Sequence, residues 1–167
     1  MCNFPLCRVW FVILLILGSS RFAAKAQDTS TQEERAQWAV TTHQLEVTPL
    51  DDAASERGDV ALQRITDVHD FHVALCQGYF EEFRGLHYTY QHAILRQYML
   101  AAAAFQVEHA DRARDYFATN LFAVESVLKT YGAITAAKPD AKSKVLDGME
   151  KRQNEGKLDD DVRKQCH

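Results

Sequence analysis

Residues 88–109, YTYQHAILRQYMLAAAAFQVEH, carry the pattern that decides the fold. Ile94, Tyr98 and Phe105 recur at helical spacings and share one face. Alanine has the highest helix propensity and almost no side chain, so the four alanines at 101–104 allow another helix to approach closely. The stretch therefore predicts a helix that packs tightly against a neighbouring helix.

Helical spacing recurs along most of the chain, and after residue 26 the only prolines are Pro49 and Pro139. A first helix is predicted to begin near Thr31, which has Glu34 three residues later in a capping-box pattern, and to end before Pro49. We expect a single all-α bundle of about five helices. The remaining predicted helices have these bounds: Asp59 to about Leu86, 111–131 ended by Gly132, Pro139 to Gly156, and a short one from Asp159.

The helix predicted from Asp59 to about Leu86 has the clearest apolar stripe in the sequence. Residues 49–59 are polar and contain Gly58, which predicts a loop whose last residue, Asp59, caps the helix. The residues predicted to share one helical face are Ile65, Val68, His72, Leu75, Tyr79, Phe83 and Leu86.

The N-terminal segment has the parts of a secretory signal peptide. A basic stub ending at Arg8 precedes the nine apolar residues VWFVILLIL, and Ala24 and Ala26 fit a cleavage site. Nine apolar residues are too few to span a bilayer, which needs roughly 20. We therefore expect residues 1–26 to be removed and 27–167 to form a single α-helical domain, periplasmic or extracellular, without a membrane anchor.

Cleavage would make the chain more acidic. It would remove Arg8, Arg21 and Lys25 from the 19 basic residues and none of the 23 acidic ones, which changes the net charge from −4 to −7. Nucleic acid and anionic membranes are bound by clustered lysine and arginine, which this composition does not favour. A negative net charge is better suited to binding a basic partner protein.

The two cysteines of the expected mature chain are Cys76 and Cys166. Exported thiols usually pair, so we predict one Cys76–Cys166 disulfide that joins the last helix to the second. Leu158, Val162 and Cys166 share a face of the last helix, which directs the sulfur toward the interior. A nucleophilic Cys76 is the alternative, but no C-x-x-C partner or local catalytic signature accompanies it.

Three potential metal ligands, His69, His72 and Cys76, are spaced three and four residues apart. A closed zinc site needs about four ligands, and a disulfide would leave only the two histidines, so we expect no metal and no other cofactor. The C-terminal residues lack the haem-attachment motif C-x-x-C-H because Arg163 stands at the first cysteine position. No phosphate-binding loop, nucleophile elbow or zinc-protease motif is present, so we expect no enzymatic activity.

Amphipathic aromatic residues concentrate where the second predicted helix meets the third. Tyrosine is enriched at interfaces, so any of these side chains that remain outside the core would form a partner-binding surface. The candidates are Tyr79, Phe80, His87, Tyr88 and Tyr90. This favours an exported protein that acts by binding another protein.

The stretch CQGYF at 76–80, together with a cysteine near the C-terminus, resembles periplasmic immunity proteins that neutralise peptidoglycan-cleaving toxins. The resemblance implies a helical inhibitor of an exported enzyme, although the cysteine-proline motif of that family is absent. Two other hypotheses remain. One is a metal or cofactor carrier using His69, His72 and either His87 or His92; the other is an acid-responsive periplasmic chaperone whose histidines gain charge between about pH 7 and 5.

Overall fold

A computed structural model describes residues 29–166, and within this range the chain forms seven α-helices and no β-strand. The predicted all-α class is confirmed, with more helices than expected. The predicted signal peptide and His167 lie outside the described residues. The helices are α1 (Gln32–Val47), α2 (Asp52–Asp67), α3 (Gln77–Arg84), α4 (Gln91–Glu108), α5 (Tyr116–Ala137), α6 (Lys144–Asn154) and α7 (Leu158–Gln165).

None of these seven helices, taken over the described residues, is both long enough and apolar enough to cross a bilayer.

The predicted capping box begins α1. The Thr31 hydroxyl accepts the Glu34 N–H at 3.1 Å, and the Glu34 carboxylate accepts the Thr31 N–H at 2.7 Å. These reciprocal bonds satisfy two backbone donors that a helix start would otherwise leave free. The helix ends at Val47, two residues before Pro49, as the sequence predicts.

Helix α4 lies between two groups of buried side chains. Leu100 and Ala103 pack in one group with Trp38 of α1 and Ile65 of α2. Other α4 residues pack in a second group, which contains side chains from α3, α5, α6 and α7. The four alanines at 101–104 are fully buried, which confirms the close packing that their small size predicts.

The continuous helix predicted from Asp59 through Leu86 is wrong. The chain leaves α2 after Asp67, runs without helical structure to Cys76, and only then enters α3. The Asp70 carboxylate accepts the Ser30 N–H at 2.8 Å and is paired with Arg35 at 2.8 Å, which holds this segment across the start of α1. Residues 68–76 are called the crossing segment below.

The loop predicted at 49–59 is also wrong beyond its first residues, because Asp51 rather than Asp59 caps α2. Gly58 lies inside this helix at a close approach to its neighbours. A Cβ at Gly58 would stand 2.7 Å from Leu45 Cδ1 and 3.2 Å from Arg96 Cδ, so the missing side chain lets α1 and α4 approach α2.

Further boundaries differ toward the C-terminus. Helix α5 continues through Gly132 to Ala137, since Tyr131 and Ile134 extend its buried face past the glycine. Helix α6 begins after Ser143 rather than at Pro139, and Lys157 rather than Asp159 precedes α7.

Candidate partner-binding surface

The predicted disulfide is present. Cys76 immediately precedes α3 and Cys166 immediately follows α7; their Cα atoms are 5.2 Å apart across a sequence separation of 90 residues. Cys76 is fully buried. With both sulfurs bonded, Cys76 has no thiolate to act as a nucleophile or as a metal ligand.

A buried polar cluster fixes the crossing segment just before the disulfide. Asn120 Oδ1 accepts the Cys76 N–H at 2.8 Å and the Tyr98 hydroxyl at 2.6 Å. Asn120 Nδ2 donates to the Ala74 carbonyl at 3.2 Å and to the Tyr116 carbonyl at 2.8 Å. Because the middle of the crossing segment is not helical, side chains of α4 and α5 satisfy the Cys76 N–H and the Ala74 carbonyl instead.

Tyr79 does not belong to the surface predicted from the aromatic residues. Its side chain is fully buried, stacks on Phe83 and donates its hydroxyl to Asp161 at 3.1 Å. Burial, followed by the negative charge of Asp161, raises the pKa of Tyr79. The residue therefore connects α3 to α7 within the core.

The other four candidates remain at least partly accessible. His87 is exposed, whereas Phe80, Tyr88 and Tyr90 are half-buried. We call Phe80, His87, Tyr88 and Tyr90 the tyrosine surface. Whether this surface contacts a partner stays a prediction.

Tyr88 fixes the tyrosine surface to the rest of the bundle. Its hydroxyl donates to the Ala141 carbonyl at 3.0 Å, and its ring meets the edges of Tyr90 and Tyr131 at centroid distances of 5.7 and 6.0 Å. Burial raises the pKa of Tyr88 to about 12. A tyrosine hydroxyl is protonated at neutral pH with or without this shift, and so can donate. The neighbouring Tyr131 hydroxyl donates to Asp147 at 2.6 Å.

A cleft of about 470 Å³ opens beside the tyrosine surface. Its lining comes from the α1–α2 turn, α2, the start of α4 and the end of α5, and it includes Tyr90, His92, Arg96, Asp52, Asp59 and Lys138. Such a volume is within the range of about 300–1,000 Å³ typical of binding clefts.

Arg96 is the residue of this cleft that the sequence interpretation missed. Its side chain is only 4% exposed, and its guanidinium donates to the Ser55 carbonyl at 3.0 Å and to Asp59 at 3.1 Å. An arginine inside the apolar stretch AILRQYML is the sequence signal that could have identified it, since a buried charge requires a partner.

His69 and His72 are both exposed and line a separate cleft of about 350 Å³ along the crossing segment. Across residues 29–166, no three histidine, cysteine, aspartate or glutamate side chains are grouped closely enough to hold a metal ion. The helix on which these two histidines were expected to align does not exist at this point of the chain.

His43 connects α1 to α4. Its Nε2 lies 2.7 Å from Glu108 and its Nδ1 lies 3.2 Å from Glu46, which also accepts the Ser126 hydroxyl and faces Lys129. Partial burial alone would lower the pKa of His43, but the two carboxylates outweigh it and raise the pKa above its ordinary value. Acid therefore strengthens this one contact.

We expect His43→Gln to remove a stabilising contribution that is complete below about pH 6.5 and lost as the pH rises through the higher pKa of the folded state. The His43 side chain is 42% exposed, so the effect should stay below about 1 kcal/mol. Urea unfolding at pH 5.5 and pH 8 measures it. A larger difference between variant and parent at pH 8 than at pH 5.5 would contradict the assignment.

Comparison of this chain with protein-family models, with curated proteins and with solved structures found no match in any of the three.

Proposed function

We propose that this chain is an exported, non-enzymatic protein-binding domain that holds its partner at the tyrosine surface and the adjoining cleft. The arrangement of Tyr90, which belongs to both, carries the proposal: its ring packs against Tyr88 on one side and lines the 470 Å³ cleft on the other. Tyrosine rings fixed in this way lose little conformational entropy on binding, which favours their use as interface anchors.

The charges of the cleft support a protein partner over a small apolar ligand. Lys138 and His92 are exposed, Arg96 is buried against Asp59, and Asp52 lies at the same opening. Both signs are therefore available within one concave surface, next to half-buried aromatic rings. Protein interfaces combine these features in a buried aromatic centre and a polar rim.

The Cys76–Cys166 disulfide supports export, because such bonds persist mainly in oxidising compartments. This agrees with the signal peptide predicted over residues 1–26.

The resemblance to immunity proteins bears on the scaffold more than on the target. In the stretch CQGYF, Cys76 forms the disulfide and Tyr79 is fully buried. A Cβ at Gly78 would lie 2.7 Å from Gln165 Cγ, so the glycine lets α7 pack against α3. Because these residues are used in packing, sharing them favours a shared architecture, and the target would be set by surface residues instead.

Site-specific photo-crosslinking tests the proposed function. A photoreactive amino acid placed at the exposed His87 should give one discrete protein adduct in cells that produce and export the chain. The same group at Lys151 of α6, whose side chain is 77% exposed, serves as the control and should give none. Equal crosslinking at both positions, or no adduct from His87, would refute the tyrosine surface as a binding site.

The crosslinked partner then allows a quantitative test by calorimetry. Tyr90→Ala should weaken its binding by roughly tenfold or more, as expected for an aromatic anchor that contributes at least about 1.4 kcal/mol. Lys151→Ala should leave the affinity unchanged. Loss of binding in both variants, or in neither, would contradict the proposal.

A further inference from the structure

A second pocket, of about 380 Å³, lies at the opposite end of α4 from the tyrosine surface. Besides Arg112, which lies between α4 and α5, four aromatic rings and two carboxylates contribute to its lining: Phe105, His109, Phe117, Phe122, Glu125 and Asp159. These side chains come from the end of α4, the residue that follows it, the first three turns of α5 and the start of α7.

The rings form a connected wall. Phe105 lies 4.7 Å from His109 and 5.5 Å from Phe122 between ring centroids, and His109 lies 6.3 Å from Phe122. Aromatic faces carry partial negative charge, so a cation is attracted to such a wall whereas an anion is repelled.

Cationic side chains of the protein itself already lie against these rings. The Arg163 guanidinium lies 3.6 Å from the centroid of Phe117, Arg112 lies 5.7 Å from that of Phe105, and Lys129 lies 6.0 Å from that of Phe122. Arg112 is also paired with Asp115 at 3.0 Å. The rings therefore accept both guanidinium and ammonium groups.

The two carboxylates are compensated only in part, by the nearby Lys129 acting on Glu125. Glu125 and Asp159 form no ion pair with any residue in the described range 29–166, although each lines the pocket. Burial, followed by the negative charge of Asp159, raises the pKa of Glu125, although Lys129 acts in the opposite direction. A bound cation would relieve both effects.

We infer that this pocket binds a lysine or arginine side chain presented by a basic partner protein. The whole chain carries a net charge of −4, which attracts a basic protein over a distance, and the pocket supplies the ring faces and carboxylates that hold one cationic side chain. Since the cation is assigned to a partner protein, the inference rests on the proposed function.

Capped amino acids test the pocket without the partner. In an NMR titration of the full chain, N-acetyl-lysine methylamide or N-acetyl-arginine methylamide should shift the ring signals of Phe105, Phe117 and Phe122. N-acetyl-norleucine methylamide, which lacks the charge, should not. Binding of the norleucine compound with equal affinity, or the absence of shifts with both cations, would overturn the inference.

Variants at neighbouring positions identify which carboxylates the bound cation requires. Asp159→Asn and Glu125→Gln should each weaken binding of the cationic compound roughly tenfold or more. Asp160→Asn removes the same charge from the same turn of α7, but Asp160 does not line the pocket, so its effect should stay within about twofold. Equal weakening by Asp159→Asn and Asp160→Asn would show that only the net charge of the region matters. It would overturn the assignment of the pocket as the binding site.

Tetramethylammonium distinguishes a protein side chain from a small free cation. If tetramethylammonium binds in the pocket and neither capped amino acid does, the assignment to a partner's side chain is overturned. A failed titration leaves the crosslinking result at His87 intact, so the two proposals can fail separately.

Discussion

Replacing both Cys76 and Cys166 by alanine should lower the free energy of unfolding by about 4 to 5 kcal/mol. The disulfide closes a loop with a sequence separation of 90 residues, and in the chain-entropy model a loop of this size restricts the unfolded chain by that amount. Alanine is the appropriate replacement at Cys76, because that site is fully buried and a serine hydroxyl there would add an unpaired polar group. Urea unfolding of the purified variant and parent measures the difference.

Reduction of the parent protein provides the control. The reduced parent and the double variant should unfold at similar urea concentrations, and the loss of protection in hydrogen exchange should be largest in α7, which the bond joins to the start of α3. Unchanged stability after reduction would show that the native contacts of α7 are sufficient without the bond.

Asn120→Ala should destabilise the fold by about 2 to 4 kcal/mol. The substitution removes the acceptor of the Cys76 N–H and of the Tyr98 hydroxyl, both in a buried environment, and the donor to the Ala74 carbonyl, which is partly accessible. A buried group that loses its partner costs about 1 to 3 kcal/mol, and the Cys76 N–H keeps a weaker bond to the Tyr98 hydroxyl at 3.1 Å. Urea unfolding gives the total, and exchange of the Cys76 amide reports the local effect.

Thr119→Ala is the matched control for Asn120→Ala. Thr119 is the preceding residue in α5 and is also buried, but its hydroxyl bonds only to the Asp115 carbonyl, at the start of its own helix. Its loss should cost less than about 1.5 kcal/mol. If both variants are destabilised equally, the contacts between Asn120 and the crossing segment do not hold that segment in place.

Features governed by nearby residues could be predicted from the sequence. The capping box of α1 and the buried face of α4 follow from local spacing, and the pairing of the two cysteines is predicted from the expectation of export. The break between Asp67 and Gln77 could not be predicted, because the apolar spacing continues through it.

The groups that stabilise this break are remote in sequence. Ser30 bonds Asp70 across 40 residues, and Asn120 bonds Cys76 across 44 residues. A local window cannot detect such contacts, and the helical period of the intervening residues then favours the wrong structure.

The aromatic candidates show the same limit on a smaller scale. The concentration of tyrosines predicts that some lie at the surface, but it could not separate Tyr79, which is buried within α3, from half-buried Tyr90, which lies outside α3 and immediately before α4. The pocket around Glu125 was not predicted at all. Its residues are brought together by the folding of α7 against α5, which no motif records.

Because α4 divides the core into two groups of side chains, the disulfide stabilises only one part of the fold directly. The disulfide closes only the half that contains α3, α5, α6 and α7, whereas the α1–α2 hairpin is held against α4 by noncovalent contacts alone. We therefore expect that hairpin to open before the rest of the fold, while the sulfur bond stays intact. Under oxidising conditions the disulfide would thus slow proteolysis of the C-terminal half. The N-terminal hairpin would then be the first region that proteases cleave.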